Sequence, residues 1–384
     1  MLEQLVLVLD LFISCKILFK MKLQEITSYL ESLAPLSSQA SYDNCGLIVG
    51  DSNQEITSAL ICLDSIEAIV DEAIDKGCNL IIAHHPIVFS GLKKITGKNY
   101  IERTIIKAIQ NNIAIYAIHT NLDNYRFGVN YEIGTRLGLE NLQILSPSEN
   151  VLCKLSVSVP TEHTDKVTKA LFQAGAGHIG NYSECSFDTV GTGTYKPLEN
   201  TNPFEGTINQ KSSVEEHKIE VLVSTHQLNS VLNAMKASHP YEEIAYDIIA
   251  LKNKNQYEGS GMFGYLPEEM DEVSFLKKVK DTFQCGVIRH TDLLNKPIKT
   301  VAFCGGSGSF LLKNAKQIKA DIFITGDYKY HDFFDAENEI VIADIGHFES
   351  EQYTTNLLAD ILKKKFPIFA IHITGVKTNP INYF

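Results

Sequence analysis

The sequence predicts an α/β protein: a layered α/β domain formed by both chain ends, with an inserted ferredoxin-like (βαββαβ) domain. Three observations lead to this fold class. Apolar strand patterns alternate with helical patterns in the first third of the chain, a β-α-β-β-α-β order follows from about residue 147, and the first alternation returns after residue 257. The predicted segments are 21–150 and 253–384 for the outer domain and 151–252 for the insertion.

The first half of the outer domain begins with a helix, because apolar residues recur at helical spacing between Leu23 and Leu33. Two further helical patterns, at 66–77 and 101–112, separate three apolar runs that have the length of buried strands. These strands are predicted at 58–64, 79–86 and 113–123. Strands joined through helices in this way run parallel, so we expect a largely parallel sheet.

The insertion has shorter, more polar elements. Its strands are predicted at 154–159, 184–195, 218–224 and 243–251, and its helices at 163–175 and 225–237. A polar loop is expected at 199–217 and a linker at 252–256. The order of these elements is that of a ferredoxin-like module.

The second half of the outer domain repeats the strand–helix alternation. Its strands are predicted at 300–306, 321–327, 339–347 and 368–373, and its helices at 309–319 and 350–365. Between the first strand and helix lies CGGSGS (304–309). We favour a tight turn over a phosphate cradle for this segment, because it lacks both the Walker pattern and a spaced GxGxxG.

Composition excludes several classes of function. The chain has 384 residues and a formal net charge of −12, and it lacks the basic face of a nucleic-acid-binding protein, so no direct nucleic-acid binding is expected. The run Lys363–Lys365 fits a solvated helix face. Eight cysteines at irregular spacing, without a CxxC pair, indicate reduced thiols and predict a cytoplasmic location.

Residues 1–20 form an apolar segment that Asp10 and Lys16 interrupt. This segment is too short and too charged to span a bilayer, and it lacks the features of a signal peptide. We expect residues 1–20 to be an over-extended start or a disordered leader, with Met21 opening the folded protein and no membrane association.

Histidine and carboxylate side chains follow the apolar strands, at the strand ends where open α/β sheets place their sites. His84 and His85 are adjacent and alternate in direction. Each could therefore serve one of two ions, or one could bind an ion while the other supports it. His119 and Asp123 follow the next strand. The alternatives are histidines satisfied by backbone carbonyls and an aspartate that caps a turn or helix.

The second half of the outer domain contributes similar residues. His347 and Glu351 lie four residues apart in GHFESE (346–351), so they share one helix face, and a carboxylate can bridge two ions. Helix capping is the alternative for this pair. Asp327 and His331 follow another strand and are candidates for supporting ligands or transferring protons, with structural capping as the equal alternative.

Three such clusters at strand ends predict a site for two divalent metal ions. Imidazole and carboxylate ligands suit zinc, iron, manganese or cobalt, and no thiolate is at hand to select zinc. A pair of such ions can polarise a substrate oxygen and activate water. The chemistry predicted for this site is therefore hydrolysis.

The blocks SYDNCGLIVGD, AHHPIVFSGLKKI, AIHTNLDN, TGDYKYHD and IADIGHFESEQ resemble, in this order, those of the GTP cyclohydrolase 1 type 2 homologue family. This family is also called Ngg-interacting-factor-three-like. The resemblance covers residues 21 to about 146 and 257–384. HPYEEIAYDI (239–248) resembles the PII- or CutA-like insertion of the longer bacterial members. The cyclohydrolase part of the name is inherited and does not fix the reaction.

The resemblance implies a dinuclear metal site and a toroidal homohexamer whose sites face an internal cavity. The metal ligands that it implies are His84, His85, Asp123, His347 and Glu351. The leading hypothesis is a metal-dependent hydrolase of a small nucleotide-like or phosphorylated substrate. The alternative is a non-catalytic metal-binding or regulatory protein whose insertion acts as a sensor. A transcription-associated interaction protein has little support in the sequence.

Overall fold

Apolar runs bounded by turns form the strands of residues 20–384, the part of the chain that this computed structural model describes. In chain order the strands are β1 (Met21–Lys22), β2 (Gly46–Val49), β3 (Glu55–Ile56), β4 (Ser58–Asp64), β5 (Leu80–His85), β6 (Ala114–Ala117), β7 (Glu140–Ser148), β8 (Leu152–Pro160), β9 (Ser186–Tyr195), β10 (Ser212–Ser224), β11 (Tyr246–Ala250), β12 (Asn255–Met270), β13 (Arg289–His290), β14 (Ile298–Ser307), β15 (Ile322–Gly326), β16 (Val341–Asp344) and β17 (Ala370–Ile373).

Helices connect most of these strands. In chain order they are α1 (Leu23–Leu33), α2 (Glu67–Asp75), α3 (Tyr100–Gln110), α4 (Thr120–Asn124), α5 (Val129–Arg136), α6 (Thr164–Gln173), α7 (Leu228–Ser238), α8 (Glu272–Phe283), α9 (Leu312–Gln317), α10 (His347–Glu351) and α11 (Thr354–Lys365). Short 3-10 turns lie at Leu36–Ser38, Thr161–His163, Thr225–Gln227, Ser309–Leu311 and Tyr330–Ala336.

The chain forms two compact units. The first runs up to Ser146 and resumes at Ser260–Phe384, and the second is Pro147–Gly259. Within residues 20–384, no helix combines the length and apolar character that crossing a membrane requires. The prediction for residues 1–20 falls outside the described residues, apart from Lys20.

The first unit contains two large sheets. One has the order β17-β4-β5-β6-β2, in which β2 alone is antiparallel to its neighbour. The other has the order β13-β16-β15-β14-β12-β7, with parallel pairing from β14 to β16 and antiparallel pairing of β12 with β14 and of β13 with β16. A further two-stranded sheet joins β1 to β3.

The largest apolar core of this unit receives side chains from both large sheets. Ile61 and Ile82 face it from the five-stranded sheet, while Phe303 and Ile324 face it from the six-stranded sheet. Alternate residues of the same strands face the opposite side, as in Leu60 of β4, which packs with α2 and α3. Strands buried on both faces are continuously apolar, which explains the runs seen in the sequence.

The second unit has the element order β8-α6-β9-β10-α7-β11. Its strands pair antiparallel in the order β11-β8-β10-β9. Its apolar core joins one face of the sheet to both helices, with Leu155 and Val221 from the strands and Leu171 and Met235 from the helices.

The predicted mixed α/β fold is confirmed, but several expected elements differ. The strand expected at 113–123 ends at Ala117, because the chain turns and the Asn121 side chain accepts the backbone N–H of His119. The loop expected at 199–217 is shorter, since β10 begins at Ser212 and pairs with β9. The linker expected at 252–256 is partly strand, because β12 begins at Asn255.

The end of the chain differs too. The strand expected at 339–347 stops at Asp344, where Gly346 adopts a φ of 94° and turns the backbone into α10. The single helix expected at 350–365 is divided into α10 and α11. Gln352 lies at this break, and its side-chain amide donates to the carbonyl of Phe283.

Candidate metal centre

The carboxyl ends of parallel strands from both large sheets meet at one place in the first unit. Asp64 ends β4 and His85 ends β5, and the two are register partners on adjacent strands. Asp327 follows β15 and His347 follows β16. Their strands therefore deliver imidazole and carboxylate groups to a common edge, as expected for strand ends in α/β sheets.

One group of ligand-type atoms comprises His84, Asp123 and Glu351. The Nε2 atom of His84 lies 3.6 Å from Asp123 Oδ1 and 3.8 Å from Glu351 Oε1. His84 is fully buried, and its Nδ1–H donates to the carbonyl of Ile118 at 2.8 Å, which leaves Nε2 with a free lone pair. Among the described residues, neither Nε2 of His84 nor Oδ1 of Asp123 has a hydrogen-bond partner.

A second group comprises His85, His347 and the other oxygen of Glu351. Glu351 Oε2 lies 3.0 Å from Nε2 of His85 and 3.0 Å from Nε2 of His347. The two histidine nitrogens are 3.3 Å apart. The carboxylate of Glu351 therefore takes part in both groups, with one oxygen in each.

Two carboxylates orient the histidines of the second group. The Nδ1–H of His85 donates to Asp64 at 2.8 Å, and that of His347 donates to Asp327 at 2.7 Å. These bonds fix the orientation of each ring and leave Nε2 facing the centre, as carboxylates do for histidines that bind metals. Asp64 also accepts a 2.5 Å hydrogen bond from the hydroxyl of Thr378.

The pKa values of the ionisable groups in this centre reflect their burial and the charges close to them. Burial and the nearby Glu351 raise the pKa of Asp123 to about 7. Burial opposes ionisation of Glu351 too, but the histidines around it, His347 first, hold its pKa well below the usual range. Burial likewise opposes protonation of the histidines, yet the adjoining carboxylates raise the pKa of His85 to about 9 and that of His347 to about 11.

A third group joins His119 to His84 and His85. The Nδ1–H of His119 donates to Asp43 at 2.9 Å, and Thr120 donates to the same carboxylate through its backbone N–H at 3.1 Å. Burial opposes ionisation of Asp43, but the hydrogen bonds from His119 and Thr120 lower its pKa far below the usual range. Asp43 thereby holds the ring of His119 through Nδ1 and makes no bond to its Nε2 atom.

The glycine-rich turn at 304–309 packs against the side chain of Glu351. The backbone N–H groups of Gly305, Gly306 and Gly308 donate to side-chain oxygens of Asn130, Ser350 and Thr325. A Cβ atom on Gly306 would lie 2.4 Å from Glu351 Oε1, and its φ of 62° is one that L side chains rarely adopt. The glycines therefore allow the carboxylate to approach the turn, as the tight-turn interpretation expects.

A cavity of about 1210 Å³ opens beside these groups and is lined by His85, His119, Asp123, His347 and Glu351. His331 lies elsewhere: its side chain is exposed in the turn Tyr330–Ala336 and stacks on Phe334. Thus the structure brings together the five predicted ligands with His119 and Asp327, and it leaves His331 apart. Asp43 and Asp64 were not among the predicted residues, although Asp64 ends the strand next to that of His85.

Comparison with known proteins identifies the family of this chain. The family model described as Duf34/NIF3 (NGG1p interacting factor 3) matches residues 21–380. The chain belongs to the Duf34/NIF3 family. The family resemblance seen in the sequence motifs is thereby confirmed.

Relatives of this Duf34/NIF3 chain match it over nearly their whole length. A protein of Halalkalibacterium halodurans named "GTP cyclohydrolase 1 type 2 homolog" is 41% identical over 94% of this chain and 98% of its own. A Bacillus subtilis protein of the same name is 37% identical. The crystal structure of a Bacillus cereus protein related to NIF3 superposes with a TM-score of 0.83 at 38% identity, covering 95% of this chain and 99% of that one.

The donor set of this Duf34/NIF3 chain fits divalent metal ions. The buried, unpaired Nε2 of His84 and Oδ1 of Asp123 are acceptor atoms that a cation would satisfy. All donors are imidazole nitrogens or carboxylate oxygens, which suit zinc, iron, manganese or cobalt. Burial, with Asp123 and Glu351 nearby, raises the pKa of the Cys304 thiol, and among the described residues Cys304 belongs to none of the donor groups.

Replacing Asp327 by asparagine tests the orienting role of this carboxylate. Asp327 has a φ of 55°, a conformation that asparagine also tolerates, so Asp327→Asn removes the charge with little backbone cost. We expect the affinity for metal to fall by about 10- to 100-fold. Metal titration of the purified variants measures this. The control is Asp335→Asn, an exposed carboxylate in the nearby 3-10 turn. Equal affinity in both variants would contradict the role.

Proposed function

We propose that this protein binds two divalent metal ions and acts as a metal-dependent hydrolase of a small nucleotide-like or phosphorylated substrate. The observation that supports it best is the pair of donor groups that share the buried carboxylate of Glu351. In this proposal His84 and Asp123 would hold one ion, His85 and His347 would hold the other, and Glu351 would serve as a ligand in both groups.

The side chains around the centre have distinct tasks in this proposal. When bound, the ions supply Lewis acidity toward a substrate oxygen and activate water for hydrolysis. Asp64 and Asp327 keep the histidines in the tautomer that presents Nε2. His119, held by Asp43 and lining the same cavity, can accept or release a proton at Nε2.

Turnover by metal-loaded protein tests the proposal. We expect hydrolysis of at least one member of a panel that includes GTP, guanosine and aryl phosphates. We expect Asp123→Ala to lower its rate by about a hundredfold or more, because this substitution removes a ligand. Asp335→Asn is the matched control. Undiminished turnover in Asp123→Ala would contradict the assignment. Tight metal binding without turnover of any compound would favour the alternative, a non-catalytic metal-binding or regulatory protein.

We propose further that the outer domain, residues 21–150 and 253–384, is a layered dinuclear-metal domain and that residues 151–252 are a ferredoxin-like, PII- or CutA-like insertion. The β-α-β-β-α-β order and the antiparallel order β11-β8-β10-β9 of the second unit support this. The homohexamer and the cytoplasmic location stay predictions from the sequence.

Deleting the second unit tests this division. Strands β7 and β12 lead out of and back into the first unit and are neighbours in one sheet, so a short linker can replace Pro147–Gly259. Because each unit has its own apolar core, we expect the remaining protein to stay soluble and to bind about two metal ions per chain. Its melting temperature should change by no more than about 5 °C. An insoluble or metal-free product would show that the unit completes the outer core.

A further inference from the structure

We propose that the cavity beside the metal centre recognises an uncharged ring compound, such as a free base or a nucleoside, and not a nucleoside triphosphate. This inference rests on the proposed function, because it takes the metal centre as the place where the substrate reacts. It narrows the proposed substrates to the nucleotide-like compounds that carry no phosphate.

The cavity wall is rich in aromatic side chains. Tyr42, Phe89, Tyr100, Phe310 and Phe348 line it. Four of them are large and yet open to solvent, with exposed fractions of 70% for Tyr42, 52% for Phe89, 53% for Tyr100 and 66% for Phe310. Aromatic side chains bury a large apolar area against a planar partner and favour stacked or edge-on ring contacts. A wall of this kind buries the most apolar area against a ligand that contains a planar ring.

The charges at the cavity do not favour a polyphosphate. Among the described residues that line it there is no lysine or arginine, whereas Asp64, Asp123, Asp327 and Glu351 contribute carboxylates. Two divalent ions would balance these carboxylates and leave little positive charge over. Most of the negative charges of a triphosphate would then be desolvated without a lysine or arginine beside them, which is costly. An uncharged ligand meets no such penalty.

The backbone donors of the glycine-rich turn do not replace the missing cations. The glycine-rich turn at 304–309, the segment with most resemblance to a phosphate cradle, uses the N–H groups of Gly305, Gly306 and Gly308 inside the protein. Outside the lining, the ammonium of Lys377 lies 5.9 Å from the centre of the Phe348 ring. This single ammonium matches one negative charge at most, and it is already placed for a cation–π contact.

A fluorescence titration with N-phenyl-1-naphthylamine, an uncharged aromatic probe, tests the inference. We expect the probe to bind wild-type protein both loaded with zinc and treated with chelator, because the aromatic wall does not depend on metal. Phe310→Ser combined with Tyr100→Ser should weaken its binding about tenfold. Tyr330→Ser is the control, since Tyr330 is 72% exposed and is not among the residues that line the cavity.

Competition then separates ring recognition from phosphate recognition. Guanosine should displace the probe from zinc-loaded protein at concentrations at least about tenfold lower than GTP. Failure of the probe to bind, failure of guanosine to displace it, or displacement by GTP at equal or lower concentration would overturn the inference. None of these measurements requires turnover, so a failure of ring recognition is distinguishable from a failure of the hydrolase proposal.

Discussion

Glu351→Gln is expected to lose both metal ions rather than one. One oxygen of Glu351 lies by His84 and Asp123, and the other lies 3.0 Å from both His85 and His347. Glutamine keeps the shape of the side chain but removes the charge and replaces one acceptor by a donor. We expect the metal content after reconstitution and desalting to fall from about two ions per chain to well below one. Elemental analysis by mass spectrometry measures it.

The control for this variant is Glu349→Gln. Glu349 is buried on the same short helix, but it accepts a hydrogen bond from Asn379 and belongs to none of the donor groups. Its substitution should leave the metal content unchanged. If Glu351 only capped its helix, Glu351→Gln would retain both ions and lose about 1 kcal/mol of stability. That outcome would refute the bridging role.

Metal affinity is expected to rise steeply with pH. Burial opposes charge on both histidines, yet neighbouring carboxylates raise the pKa of His85 to about 9 and that of His347 to about 11 in the metal-free protein. Both imidazoles are therefore protonated at neutral pH, and a protonated imidazole cannot bind metal. Binding must release these protons, so affinity is lower below these pKa values and increases as pH rises toward them.

Each released proton changes the apparent affinity by about tenfold per pH unit, because proton and metal compete for one nitrogen. Calorimetric titration in two buffers of different ionisation enthalpy counts the protons directly. We expect release of about two protons on loading the site near pH 7, with a further contribution from Asp123 at lower pH because its pKa is about 7. Affinity that is unchanged between about pH 6 and pH 8 would contradict this description of the metal-free centre.

The ligand-type residues could be predicted from the sequence because short, local sequence patterns indicate where they lie. An apolar run that ends in His84 and His85 predicts a buried strand with imidazoles at its end, and a His347–Glu351 spacing of four predicts one helix face. Parallel strands bring their carboxyl ends together. The fold class therefore predicts that such groups gather at the carboxyl edge of a sheet.

Sequence reasoning missed the partners because pairing depends on long-range packing. Asp43 reaches His119 across 76 positions of the chain. Asp64 meets His85 only through the register of β4 and β5. The sequence likewise did not distinguish Asp327, which contacts His347, from His331, which the turn Tyr330–Ala336 directs away. Strand order is not encoded locally either, so the sequence did not predict that the first unit divides its strands between two large sheets.

Crystals of metal-reconstituted protein, with anomalous scattering recorded at the absorption edge of the metal, test the central claim most directly. Two anomalous peaks are expected on either side of the Glu351 carboxylate. One should lie within about 2.2 Å of His84 Nε2 and an Asp123 oxygen, and the other within about 2.2 Å of the Nε2 atoms of His85 and His347. A single peak, or peaks that lie away from these side chains, would contradict a dinuclear centre.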